Sequence, residues 1–80
     1  MSSKRTKRLP SDLPRIRVLS AVQRLGFVLD REGSRHSIFK DPDDPTRFIS
    51  LPRHPQIKRA LLRGILSGVG VSEEEFMDRY

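Results

Sequence analysis

Phe27-Val28-Leu29-Asp30-Arg31-Glu32-Gly33-Ser34-Arg35-His36-Ser37-Ile38-Phe39-Lys40 is the stretch on which the fold turns. In an extended chain, successive side chains point to opposite faces. Over residues 27–31, Phe27, Leu29 and Arg31 therefore share one face, and Val28 and Asp30 the other. Over residues 35–40, His36, Ile38 and Lys40 share one parity, and Ser37 and Phe39 the other. Glu32-Gly33-Ser34 separates the two runs as a short hairpin loop, in which Gly33 is free to take positive φ. The expectation is two antiparallel strands made by one local signal.

The next segment toward the C-terminus, Asp41-Pro42-Asp43-Asp44-Pro45, has the composition of a turn. Residues 47–51 then read as a third strand, with Phe48 and Ser50 opposing Ile49 and Leu51. Pro52 and Pro55 stop it, which suits an edge position. Toward the N-terminus, residues 15–25 read as a helix entered through Pro14, with Val18, Ala21, Val22 and Leu25 at i, i+3, i+4 and i+7. Gly26 is placed to end it in a left-handed conformation.

A second helix is expected over residues 56–67. Its apolar stripe is Ile57, Ala60, Leu61 and Ile65, widened by Leu62 and Leu66, and Lys58, Arg59 and Arg63 form a basic side. Ser72 and Glu75 have capping-box spacing for a last short helix, from which Phe76 and Met77 can fold back onto the core. Residues 1–14 read as a flexible basic tail, with Lys4, Arg5, Lys7 and Arg8 between breaker prolines, and residues 15–80 as the domain. Strands joined by short loops form an antiparallel meander, and amphipathic helices need its face to cover. The fold class is therefore α+β: α-β-β-β-α with a short C-terminal helix, like the double-stranded-RNA-binding domain in outline.

Composition narrows the function. Eighty residues make one small domain with no room for a deep cofactor cleft. The chain has no cysteine and two histidines, which argues against a structural zinc site. No apolar run approaches the ~20 residues of a membrane span. The formal charge of +6 suits a polyanionic partner, and equally a merely soluble basic protein.

His36 carries the chemistry, if there is any. A histidine can move protons at physiological pH, and Arg35 beside it can hold a phosphate by a two-point hydrogen bond. Together they are the minimum kit for cutting RNA, whose own 2′-hydroxyl supplies the nucleophile. The plainer alternative is an exposed or structural histidine at the start of a strand. Ser34 can donate to phosphate or simply make the turn. Lys40, on the parity of His36, is a phosphate-contact candidate. His54 sits between two prolines and serves either as a general acid or as a brace for that turn. Lys58, Arg59 and Arg63 suit tracking of an RNA backbone, or form an ordinary solvated face.

Several of these segments together resemble one family. They are Leu25-Gly26-Phe27-Val28, Arg31-Glu32-Gly33 through His36 with Ile38-Phe39-Lys40, Leu51-Pro52-Arg53-His54, and Gly70-Val71-Ser72-Glu73-Glu74-Glu75-Phe76. In order and spacing the chain resembles the HicA toxins of HicAB toxin–antitoxin pairs over roughly residues 15 to 78. The resemblance implies a cytoplasmic, metal-independent endoribonuclease that cleaves mRNA. His36 would be its catalytic base, it would need no cofactor, and a HicB-like antitoxin would silence it. A free monomer is expected. The rival readings are a non-catalytic RNA-binding module and a protein whose sheet only docks a partner.

Overall fold

The computed structural model describes residues 8–80; Lys4, Arg5 and Lys7 of the basic cluster lie outside the described residues. The elements run β1 (Asp12–Pro14), α1 (Arg15–Arg24), β2 (Val28–Glu32), β3 (His36–Asp41), β4 (Asp44–Pro52), β5 (Gln56–Lys58), α2 (Arg59–Gly68) and α3 (Glu73–Arg79). Strands β2, β3 and β4 form an antiparallel meander in that order, and three helices accompany it. This is the α+β, double-stranded-RNA-binding-like fold.

Strands β3 and β4 follow the alternation of their sequence, whereas every residue of β2 is exposed. Ser37, Phe39, Ile49 and Leu51 are buried, while His36, Ile38, Lys40, Phe48 and Ser50 are not. Register pairs His36 with Pro52, Ile38 with Ser50 and Lys40 with Phe48, so these share the outer face. Against the inner face pack Val18, Ala21 and Val22 of α1, Leu62 and Leu66 of α2, and Phe76 of α3. Gly26 stops α1 at φ +104, as its sequence predicts. The Ser72–Glu75 capping box forms with both hydrogen bonds at 3.0 Å.

Four local readings change. Gly33 does not adopt positive φ. Its amide donates to the His36 carbonyl at 2.8 Å, and a Cβ there would make a tight 3.2 Å contact with that same oxygen. The register between β2 and β3 shifts between Leu29 and Arg31, so the simple alternation of β2 breaks at Asp30. β4 starts at Asp44 rather than residue 47, because Pro45 is tolerated on an edge strand where its missing N–H breaks no ladder. Residues 56–58, expected as the first turn of the second helix, are instead the strand β5.

The partner of β5 lies in the expected tail. β1 pairs antiparallel with β5, setting Leu13 opposite Ile57. Leu9, Leu13 and Ile57 are all in the core. The flexible-tail reading is thus corrected for residues 9–14: their prolines prevent a helix, but extended chain with two buried leucines binds them to the domain. A second consequence follows for α2. With residues 56–58 extended, its core side is Leu62 and Leu66, with Ile65 half-buried beside them and Val69 buried just past its end, while Ala60 and Leu61 turn outward.

Leu13→Ala is expected to lower stability by about 2–5 kcal/mol, a large part of the ~5–15 kcal/mol available to a small domain. Urea unfolding of the two proteins measures this. A loss under ~0.5 kcal/mol would mean that the N-terminal strand is dispensable.

Candidate functional site

His36 opens β3 directly after the hairpin tip, and His54 follows the end of β4. Antiparallel pairing brings these two chain segments side by side, since His36 is in register with Pro52. Both histidines line one cavity of about 470 Å³. Its remaining polar wall is Arg35, Ser50 and Arg53, and its apolar wall is Pro52 with Leu61 and Ile65 of α2. That volume falls within the ~300–1,000 Å³ typical of small-ligand pockets.

A network of polar side chains holds the mouth of this cavity in shape. Arg15, the first residue of α1, donates through Nε to the Pro52 carbonyl at 2.8 Å and through its terminal nitrogen to Ser37 Oγ at 2.7 Å. Ser37 Oγ in turn donates to Glu32 Oε1 at 2.7 Å. The same Glu32 oxygen accepts from the Arg53 guanidinium in an ion pair. Arg53 also donates through Nε to the Gly33 carbonyl at 2.8 Å, and its amide donates to the Arg35 carbonyl at 3.1 Å. Ser37 is the one buried polar residue among those described, and it has both a donor and an acceptor partner. Its side chain lies on the opposite face of β3 from that of His36, so the network grips the strand from behind the histidine.

The two arginines of the cavity differ. Arg53 is committed to Glu32 and the hairpin backbone. The Arg35 side chain makes no hydrogen bond or ion pair within the described residues. It is the cation left available to an incoming anion.

The cavity brings together Arg35, His36 and His54 from the sequence-derived set. It does not gather the others. Ser34 is exposed in the hairpin tip outside the lining. Lys40 shares the outer face but lies four residues along β3, roughly 13 Å away, with its ammonium 3.5 Å from Asp30. Lys58 pairs with Asp12 at 3.2 Å, Arg63 with Glu73 at 2.6 Å, and Arg59 donates to the Pro10 carbonyl at 3.4 Å. These three bind neighbouring elements of the chain instead of projecting as one free cationic face.

Arg15, Glu32, Ser37 and Arg53 were given no role by sequence reasoning. One signal was legible: Ser37 is a polar residue on the inward parity of a strand that otherwise buries Phe39. A buried hydroxyl requires a partner, and charged neighbours flank both strand ends. No three His, Cys, Asp or Glu side chains among the described residues converge as metal ligands.

The arrangement offers two proton carriers and one uncommitted guanidinium around an open, partly apolar cavity. Residue types of this kind suit an anionic ligand whose chemistry involves proton transfer.

Glu32→Gln or Arg53→Ala is expected to loosen the mouth without unfolding the sheet. Hydrogen exchange of the Gly33 and Arg53 amides should quicken about tenfold, as charged hydrogen bonds at a partly exposed site are lost. Exchange in the centre of β3 and β4 should not change. Equal acceleration throughout the sheet would show that the network serves global stability and not local positioning.

Residues 17–71 match the family model described as HicA toxin of bacterial toxin-antitoxin, a span covering well over half of the chain. No curated protein matches.

Proposed function

The chain belongs to the HicA toxins, and from that premise we propose that it is a metal-independent endoribonuclease acting on mRNA with His36 as base. As a member of a toxin–antitoxin system it has an antitoxin partner, which we take to be HicB-like. No helix among the described residues is long and apolar enough to cross a membrane, and we place its action in the cytoplasm, where mRNA is found.

The observation that carries the reading is the convergence of His36, His54 and Arg35 on one cavity. Neutral His36 accepts the proton of a ribose 2′-hydroxyl. The oxygen so formed attacks the adjacent phosphorus, and the bond to the 5′-oxygen of the next nucleotide breaks. That oxygen leaves with a proton donated by cationic His54. The products are a 2′,3′-cyclic phosphate and a free 5′-hydroxyl. Histidine placed as acid or base is typically worth ~10²–10⁴ in rate. Arg35 meets the negative charge that grows on the phosphoryl oxygens, where a positioned donor acts most strongly. Pro52, Leu61 and Ile65 supply an apolar wall against sugar or base.

The assignment of His54 as acid, and not as a brace for its turn, rests on its position in the cavity wall together with His36. The neighbouring backbone is held by Arg15 and Arg53, so the turn has a brace without it.

His36→Ala is expected to keep its circular dichroism spectrum and to lose RNA cleavage by about 10²–10⁴-fold. His54→Ala should lose the part of a bell-shaped pH–rate profile that reports the acid, with the base-dependent limb retained. Full cleavage by folded His36→Ala would refute the mechanism. A His54→Ala profile identical to that of the parent would return His54 to a structural role.

Cleavage is expected to persist in EDTA, since the proposed steps involve protein side chains and the RNA itself. Activity lost in EDTA and restored by magnesium would replace this mechanism with a metal-assisted one.

A further inference from the structure

A second groove adjoins the catalytic cavity. It has a volume of about 320 Å³ and runs between the outer face of β4 and helix α2. Phe48 and Thr46 form one side and Gly64 and Gly68 the other. Ser50 and Ile65 belong to both depressions, so the two are continuous.

Phe48 is the one phenylalanine among the described residues that is not buried. It is 52% exposed, although alternation along β4 would let a polar residue occupy an outward position at no cost. Opposite it, a Cβ built on Gly64 or Gly68 meets nothing within 4 Å. The groove is therefore open on its helical side, and the ring is left with an uncovered surface. Lys40, in register with Phe48 on the same face, brings a cation to this end of the sheet. Its ion pair with Asp30 is long and more than a third exposed, which makes it a weak commitment.

We propose that this groove is a nucleobase subsite, in which Phe48 stacks a base of single-stranded RNA flanking the scissile phosphate. The inference rests on the endoribonuclease reading and extends it. Phe48 lies roughly 13 Å along β4 from Pro52, which is paired with His36. That distance suits a base neighbouring the cut and not the nucleotide being cut. Aromatic faces take unpaired bases of any identity, which is how single strands are commonly held. The chain's +6 charge favours a polyanion in a groove otherwise apolar enough for a protein segment. Continuity with the catalytic cavity selects the strand that the cavity already holds. A base in a continuous duplex is stacked on its neighbours and cannot enter, so the subsite restricts the substrate to unpaired RNA.

The chain has no tryptophan, so Phe48→Trp installs a single reporter at the groove. The probe is a single-stranded RNA decamer of mixed sequence, titrated in the His36→Ala background so that it stays intact. Binding is followed independently by anisotropy of a dye on the RNA. Quenching of the Phe48→Trp fluorescence in step with the anisotropy is expected, with none for Ile16→Trp on helix α1. The same sequence in a duplex should leave the Phe48→Trp signal unchanged. Phe48→Ala and Phe48→Leu should each bind the single strand about 5- to 150-fold more weakly, the usual value of one stacked base, while Phe48→Trp binds normally.

If RNA binds and the parent protein cuts it, yet Phe48→Trp is not quenched and Phe48→Leu binds normally, the subsite is overturned. The endoribonuclease reading then stands, and the groove is left to a protein partner. If the decamer neither binds nor is cut, both readings fail together.

Discussion

The carboxylate of Glu32 is the constraint on which the site depends. One of its oxygens accepts from Ser37 behind β3 and from Arg53 beyond β4. Ser37 is itself held by Arg15 at the start of α1. Thus a helix, both strands of the hairpin and the exit of β4 meet through four side chains. The exposed Arg53–Glu32 pair alone would contribute little, since such pairs are screened and cost side-chain entropy. The buried hydroxyl raises the stakes, because removing a partner leaves a polar group in the core unsatisfied. No buried side-chain polar atom among the described residues lacks a partner. The result is a hydrogen-bonded frame on the inner side of β3, with His36 left on the outer side.

This division also explains the cations. A strongly basic small domain suggests a broad phosphate-binding surface, yet Lys58, Arg59 and Arg63 each bind another element of the chain. Arg15, Arg47 and Arg53 act as internal fasteners; Arg47 joins Asp41 to the Val69 carbonyl at the far end of the sheet. Much of the positive charge therefore has a partner within the chain, although the exposed pairs of Lys58 and Arg63 add little stability. Long-range attraction of a polyanion survives this, because it follows net charge. Of the two arginines at the cavity, Arg35 is the one whose guanidinium the framework leaves uncommitted, which is why the proposed phosphate contact is assigned to it.

The sequence made some of this legible and hid the rest, for physical reasons. The β2–β3 hairpin, the end of α1 and the cap of α3 are readable because each is decided by a few adjacent residues: the Glu32-Gly33-Ser34 break between two extended runs, though not the φ expected of Gly33, then Gly26, and Ser72 with Glu75. β1 and β5 were not. Three residues carry no measurable periodicity, and Ile57 fits the helical spacing of Leu61 and Ile65 as well as it fits a strand. That ambiguity shifts the expected core face of α2: Leu61, expected in the stripe, is exposed at the cavity, while Ile65 packs against the core and also walls the cavity. His36 and Arg35 were visible as a pair because they are adjacent. The approach of His54 was not, since it depends on the register between β3 and β4. Lys58, Arg59 and Arg63 looked free because their acidic or carbonyl partners lie far away in the chain.

The central claim is that side chains of this cavity use the RNA's own 2′-hydroxyl as nucleophile. Mass spectrometry of the fragment ends from one purified RNA tests it most directly. The account predicts a 2′,3′-cyclic phosphate on the upstream fragment and a 5′-hydroxyl on the downstream one. A 3′-hydroxyl with a 5′-phosphate would contradict it, because water or another external nucleophile would then have made the cut.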